Sequence, residues 1–170
     1  RIRISDMSRL MVKLAATVVQ WDLRLAQYAN KSFSVAAQDT VPAGLFFKDD
    51  GTKVFVLGGI SESIHEYNLS NSWDISTASF TQSLSIVAQT GVSHDVFFKS
   101  DGLKFYIIDE NDVIYQYSMS TAWDVSTASY DGVSLSVASE EATPGGIAIS
   151  SDGARLYVTG NSQKIYQYSL

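Results

Sequence analysis

An Asp-Gly pair recurs at a constant interval along this chain. Asp50-Gly51, Asp101-Gly102 and Asp152-Gly153 are separated by 51 residues each. A short apolar segment precedes each pair, and a segment rich in Val, Ile, Leu, Phe and Tyr follows it. The repeats end in related tetrapeptides at 64–67, 114–117 and 165–168. A fixed period near 50 residues is typical of solenoids, propellers and repeat arrays.

The apolar segments within one period have the composition of β-strands. The central period contains four of them, at Leu84–Ala88, Asp95–Lys99, Lys104–Ile108 and Val113–Met119. The Asp-Gly pair between the second and third segments predicts a tight hairpin, because glycine adopts the positive φ that such turns require. Four short antiparallel strands in about 50 residues make one propeller blade. We therefore predict an all-β fold, a β-propeller built from four-stranded blades of 51 residues.

The first residues of the chain align with its last repeat when slips of one residue are allowed. Met7 then takes the place of the glycine, and residues 1–33 form a degenerate unit that lacks its innermost strand. The helix formers at 7–16 leave a helical leader as the alternative. We predict a single propeller domain, or a propeller fragment, over 1–170, with about four blades. The predicted units are 1–33, 34–85, 86–136 and 137–170.

A blade without its innermost strand leaves an unpaired edge, and such an edge attracts a strand from another chain. Three arrangements remain open: a fragment of a larger propeller, copies that complete a ring together, and a four-bladed ring with one defect. The expected partners are therefore other proteins, or a second copy bound through the open blade edge. Glycans are a further possible partner, because aromatic side chains provide stacking surfaces for sugars.

Two spacers of equal length, at 73–80 and 123–130, begin with Trp-Asp. We predict that it crosses from the outer strand of one blade to the inner strand of the next. Asp74 and Asp124 are suited to cap a single helical turn there, and Trp73 and Trp123 are expected to pack over the blade edge.

Charge and composition exclude several classes of function. The chain has a net charge of −6 and no basic run, which argues against binding to nucleic acid or anionic membranes. No apolar run approaches the roughly 20 residues that span a bilayer. Cysteine is absent, so disulfides, thiol catalysis and thiolate metal sites are excluded. No cofactor is predicted, and no Ser-His-Asp set or phosphate-binding glycine loop is recognisable.

His94 and Asp95 are the first candidate site. They replace small residues of the neighbouring units, Ala43-Gly44 and Gly145-Gly146, and are predicted to lie near a mouth of the central channel. A His-Asp pair there could bind a ligand or act as a weak base. The alternative is sequence drift, with Asp95 capping a turn.

Two further polar features are interpreted mainly as structural. Asp109, Asn111 and Asp112 could hold Ca²⁺ through oxygen atoms, but we prefer a solvated hairpin tip as the explanation of this acidic link. His65 stands where other repeats have Tyr115 and Tyr166, which predicts a packed histidine between blades.

The last repeat resembles a known type of propeller blade. Residues 144–160, which begin with Pro144-x-Gly146 and contain Asp152-Gly153, resemble the YVTN repeats of surface-layer-like and lactonase-like propellers. The central repeat departs from this pattern at Ser93-His94-Asp95. The Ile-Tyr-Gln-Tyr and Trp-Asp-Val-Ser-Thr elements are similar to tandem propeller repeats of large extracellular bacterial and phage proteins.

This resemblance implies a rigid scaffold that displays variable loops. The expected function is that of a non-catalytic binding or structural module at a cell surface or in a virion, which recognises proteins or glycans. The alternative is a lactonase-like propeller hydrolase with its site at the channel mouth. That alternative requires polar residues of several blades to converge on the axis, and His94 and Asp95 are the pair that fits.

Overall fold

The computed structural model describes residues 23–170. Most of the predicted first unit, with its helical alternative and its absent inner strand, lies outside the described residues. By its contacts the chain divides into residues 1–30 and residues 31–170. Within the first part, Leu23–Leu25 form a short 3-10 turn. Residues 31–170 contain all the strands that follow, and no helix in the described range is long and apolar enough to cross a membrane.

The described residues form three antiparallel sheets whose strands follow one another in sequence order. Sheet 1 contains β1 Pro42–Phe47, β2 Lys53–Gly58, β3 Ser63–Leu69 and β4 Ala78–Ser85. Sheet 2 contains β5 Ser93–Phe98, β6 Lys104–Asp109, β7 Val113–Met119 and β8 Ala128–Ser136. Sheet 3 contains β9 Pro144–Ile149, β10 Arg155–Gly160 and β11 Ile165–Ser169.

The first strands of the three sheets lie side by side, β1 against β5 and β5 against β9. Each sheet then extends outward from its first strand as a meander of hairpins. This is how propeller blades surround an axis, with the first strand of each blade innermost. The division of the chain into units at 34, 86 and 137 stays a prediction.

The predicted first strand of the central unit, Leu84–Ala88, is wrong. Leu84 and Ser85 do not begin an innermost strand at 84–88, because they are the end of β4, which pairs with β3 in the preceding sheet. The spacer that starts at Trp73 therefore joins the third and fourth strands of one sheet and does not cross between blades. The physical reason is strand pairing: β4 runs antiparallel to β3, with Ala78 opposite Leu69.

The Asp-Gly turns are confirmed as the hairpin turns between the first and second strands of each sheet. Gly51, Gly102 and Gly153 have φ values of +70°, +70° and +71°. The aspartate before each glycine accepts a hydrogen bond from the backbone two residues on, at 2.9 Å for Asp50 and 3.0 Å for Asp101 and Asp152. The carboxylates therefore stabilise the turn locally, as short polar side chains commonly do.

The two Trp-Asp spacers form 3-10 turns at Ile75–Thr77 and Val125–Thr127, and Asp74 and Asp124 cap them as predicted. The tryptophans pack over the Asp-Gly turns, but their surroundings differ. Trp123 is only 8% exposed and stacks with phenylalanines of sheets 1 and 2, whereas Trp73 is 61% exposed. The spacer therefore contributes to the core between sheets 1 and 2.

Candidate functional site

A β-bulge occurs at the same position in all three innermost strands. In β5 the pairing with β6 shifts between Ser93 and Asp95, which leaves His94 unpaired. The corresponding bulged residues are Ala43 in β1 and Gly145 in β9. Bulges redirect side chains and are frequent beside active sites. Because alanine and glycine have no polar side-chain group, His94 is the one of these three bulged residues whose side chain can bind a ligand or accept a proton.

A hydrogen bond to the next sheet fixes the imidazole of His94. Its Nδ1 lies 2.6 Å from the carbonyl oxygen of Pro144 in β9. A carbonyl can only accept, so Nδ1 is the protonated nitrogen, and Nε2 of the neutral ring carries the lone pair. Among residues 23–170, no hydrogen bond occupies this Nε2. The ring is half-buried, and the hydrogen bond to Pro144 fixes the direction in which Nε2 points.

Asp95 lies between the innermost strands of the two flanking sheets. A Cβ built on Gly44 of β1 would lie 3.4 Å from one of its carboxylate oxygens, and one built on Gly146 of β9 would lie 3.6 Å from the other. Its Oδ1 accepts from the N–H of Val96 at 2.9 Å, and its Oδ2 accepts from the N–H of Ile147 at 3.0 Å. Asp95 thus joins β5 to β9. The binding role predicted for the pair stays a prediction.

Glu62, which sequence reasoning missed, extends from the β2–β3 hairpin of sheet 1 to sheet 2. Its Oε2 accepts from the hydroxyls of Thr90 and Ser93 at 2.9 and 2.8 Å. Glu62 and Ser93 are both buried, and Ser93 directly precedes His94. This contact holds the start of β5 against the neighbouring sheet. In the sequence, the indication of this role is that Glu62 is the single charged residue of the hairpin link at 58–63.

The acidic link at 109–112 is organised by hydrogen bonds. Asp109 is fully buried, and its carboxylate accepts from the backbone N–H groups of Asn111 at 3.1 Å, Val113 at 3.3 Å and Gly91 at 3.3 Å. These donors surround the carboxylate with N–H groups, which satisfy it without a cation. The part of the chain that the structure describes contains no group of three or more acidic or histidine side chains arranged for a metal. Calcium binding by Asp109, Asn111 and Asp112 stays a prediction.

His65 is a packed histidine, as predicted. Its side chain lies in the core at 4% exposure, and its Nε2 is 2.9 Å from the hydroxyl of Ser61. Its Nδ1 is buried without a hydrogen-bond partner in the described residues. Burial lowers the pKa of His65, and the nearby Asp39 carboxylate offsets this only in part. Burial therefore favours the neutral form of the His65 ring in the folded state.

Carboxylates of the loops before β1 and β9 hold the hairpin tips of sheets 1 and 3. Asp39 accepts from the backbone N–H groups of Val41 at 2.6 Å and Ser61 at 2.7 Å. Burial acts to raise the pKa of Asp39, but these hydrogen bonds outweigh it, so the pKa lies below its usual value. Glu141 holds Ser162 in the same way, and the Ser162 hydroxyl is the main cause that lowers the pKa of Glu141. Both loops are therefore firmly held near the innermost strands.

No family model matches the sequence, and no curated protein matches it. Solved structures do match. One is a putative 6-phosphogluconolactonase from Bacteroides fragilis, with 17% identity and a TM-score of 0.56 over 75% of this chain and 34% of that one. A second, from Bacteroides uniformis, has 16% identity and a TM-score of 0.56 over 82% of this chain and 40% of that one. A third is the periplasmic gluconolactonase of Pseudomonas aeruginosa, with 14% identity and a TM-score of 0.54 over 75% of this chain and 35% of that one.

These likenesses confirm the all-β propeller class of fold. They do not confirm YVTN repeats in particular, since no family model matches. The chain spans about a third to two-fifths of the length of these neighbours. At this level of identity the comparison shows the fold, and the neighbours' activities are not thereby shown for this chain.

The comparison nevertheless corrects the predicted function. The expectation of a non-catalytic structural or binding module in a virion or an extracellular protein is wrong, because the three neighbours are named as lactonases. None of their names describes a virion or a structural protein. Their names agree better with the alternative, a lactonase-like propeller, than with a structural module.

Proposed function

We propose that this chain is part of a lactonase-like β-propeller that hydrolyses a sugar lactone beside His94. The observation that supports the proposal most directly is the imidazole on the β5 bulge, with Nδ1 held at 2.6 Å from the Pro144 carbonyl. This imidazole lies on β5, the innermost strand of its sheet, and innermost strands border the central channel of a propeller. The names of the three structural neighbours supply the substrate class.

In the proposed reaction His94 acts as the general base. Its Nε2 accepts a proton from a water molecule as the water oxygen bonds to the lactone carbonyl carbon. The bond between that carbon and the ring oxygen then breaks, and the proton on Nε2 passes to the departing oxygen. The product is the open hydroxy acid, and the imidazole returns to its neutral form.

Asp95 has a positioning role in this proposal. Its carboxylate is held by N–H groups of β5 and β9, the two strands that also hold the His94 ring. The Glu62 contact to Ser93 holds the other end of the bulge.

The test is hydrolysis of glucono-δ-lactone followed by acid release in a pH-stat, with the spontaneous rate subtracted. His94→Gln keeps an amide that can donate to Pro144 but removes the base. We expect it to lower the rate constant about 100-fold or more, with an unchanged circular dichroism spectrum. His65→Gln, which alters a histidine in the core, is the matched control and should retain the rate of the folded fraction. Absence of activity above the spontaneous rate, or full activity in His94→Gln, would overturn the proposal.

A further inference from the structure

We propose that Asp95 makes the lactone site selective for uncharged substrates, because its carboxylate occupies the position where a phosphate or carboxylate group of an anionic lactone would bind. This inference rests on the proposed hydrolysis beside His94 and adds to it the charge of the substrate. The supporting observations are the contacts of Asp95 with β5 and β9, and the residues at the same position in the other two sheets.

Asp95 is the one side chain among three equivalent positions on the innermost strands. Gly44 of β1 lies one repeat before it, and Gly146 of β9 lies one repeat after it. In all three strands this position directly follows the β-bulge. The position therefore has no side chain in sheets 1 and 3, whereas a carboxylate projects from it in sheet 2.

The two glycines leave the space that the carboxylate of Asp95 fills. A Cβ added to Gly44 would already be in van der Waals contact with its Oδ1, and a Cβ added to Gly146 would be in contact with its Oδ2. The carboxylate thus lies where the innermost strands of the three sheets face one another. Any side chain longer than alanine at either glycine would compete with it for this space.

Two backbone N–H groups hold the carboxylate, one from each of two sheets. Oδ1 accepts from Val96 of β5 at 2.9 Å, and Oδ2 accepts from Ile147 of β9 at 3.0 Å. Convergent backbone N–H groups are a common anion-binding arrangement in proteins, and they bind phosphate and carboxylate groups alike. Since Asp95 already accepts from both donors, they are not available to an anionic group of a substrate.

The carboxylate also repels an anionic substrate. Its two donors are uncharged amides, so they do not neutralise it. The side chain is half-buried, and its Cα lies about 3.8 Å from that of His94, because the two residues are adjacent. A phosphate group with close to two negative charges at neutral pH is therefore disfavoured here. An uncharged sugar lactone meets no such repulsion, and its hydroxyls can donate to the carboxylate.

The first test compares kcat/KM for glucono-δ-lactone and for its 6-phosphate, each corrected for spontaneous hydrolysis. The wild-type chain should prefer the uncharged lactone at least about tenfold at low salt, and Asp95→Asn should reduce this preference about tenfold. The ratio is the measure, because a displaced His94 would alter both rates alike. Asp101→Asn, the same charge change at the turn between β5 and β6, is the matched control and should leave the ratio unchanged. Equal rates in the wild-type chain, or an unchanged ratio in Asp95→Asn, would overturn the inference.

A second test does not depend on hydrolysis. Asp95→Gly introduces the residue of the other two repeats and frees the N–H groups of Val96 and Ile147. Inorganic phosphate should shift the NMR signals of these two amides in the variant but not in the wild-type chain. If neither lactone is hydrolysed above the spontaneous rate, the proposed hydrolysis is wrong, and this titration still decides whether Asp95 occupies an anion site. No shift in Asp95→Gly, or an equal shift in the wild-type chain, would contradict the inference.

Discussion

The interfaces on the two sides of sheet 2 are built differently. Between sheets 1 and 2, the indole of Trp123 lies among Phe46, Phe55 and Phe98. Between sheets 2 and 3, the core is largely aliphatic. Its buried members are Ile108, Ile114, Val137, Ile147, Leu156 and Val158. One repeated backbone therefore supports an aromatic and an aliphatic interface.

The difference shows what the Trp-Asp spacer contributes. Its Val125 N–H binds the fully buried Glu66, which also accepts from Gln82 at 2.8 Å and pairs with Lys53. The spacer of sheet 2 thus closes the outer part of the interface with sheet 1, by an aromatic ring and by a polar network. Between sheets 2 and 3, the corresponding groove is accessible in the described residues.

The largest effect is expected for Trp123→Ala. Removing this buried indole leaves a cavity among three phenylalanines and should cost about 4 kcal/mol of unfolding free energy. Trp73→Ala is the matched control, because its ring is 61% exposed, and it should cost about 1 kcal/mol. Urea unfolding followed by circular dichroism measures both. Equal losses would show that the spacer stabilises its own sheet and not the interface.

A smaller effect is expected for alanine at the glycines of the Asp-Gly turns. Gly153→Ala meets only the cost of a left-handed conformation, about 1 kcal/mol. Gly102→Ala meets the same cost and must also displace the Trp123 ring, so we expect about 2 to 3 kcal/mol in total. Thermal unfolding of the two variants compares them directly. If the two losses are the same, the indole does not rest tightly on Gly102.

Glu66→Gln tests the polar part of the interface between sheets 1 and 2. The new amide would face donors from Lys53, Gln82 and Val125, and the lost acceptor should cost about 2 kcal/mol. Asp131→Asn makes the same change in sheet 2, at a side chain that is 17% exposed, and should cost less because water can replace the lost contacts. Chemical denaturation at pH 7 measures both, and a larger loss for Asp131→Asn would contradict the assignment.

The smallest effect concerns pH. Because burial lowers the pKa of His65 in the folded state, the unfolded chain binds a proton more readily at this residue. Its contribution to stability is therefore complete above the ordinary histidine pKa of about 6.5 and declines as the pH falls below it. His65→Tyr, which restores the residue found in the other repeats, should flatten the dependence of unfolding free energy on pH between about 7 and 5. An unchanged slope would place the titrating group elsewhere.

Much of the fold was predictable because its determinants are local. The Asp-Gly turns and the strands beside them lie where predicted, since a turn and its two strands occupy about 20 residues. The sequence pattern predicts a spacer at 73–80 and a strand at 84–88 instead of the strand Ala78–Ser85, because this strand has a polar exposed face and Leu84 continues into an apolar segment at 86–88. Only pairing with β3 distinguishes the end of one blade from the start of the next.

The candidate residues could be selected from the sequence, but their contacts could not. His94 stood out because its neighbours in the repeat are Ala43 and Gly145, and the structure places it on an innermost strand. The hydrogen bond to Pro144 depends on β9, 50 residues away in sequence. The contact from Glu62 likewise depends on how two sheets dock, which a single repeat does not reveal.

A tyrosine on the third strand of each sheet donates to the loop that precedes that sheet. Tyr67 reaches Gln38 at 3.2 Å, Tyr117 reaches Gln89 at 3.0 Å, and Tyr168 reaches Glu140 at 3.1 Å. Each of these hydrogen bonds closes a loop of about 30 residues, and the entropic cost of closing a loop of this length is modest. Because every strand pairing within residues 23–170 joins consecutive strands, we infer that the sheets form independently and quickly, and that docking of sheet against sheet is the slow step of folding.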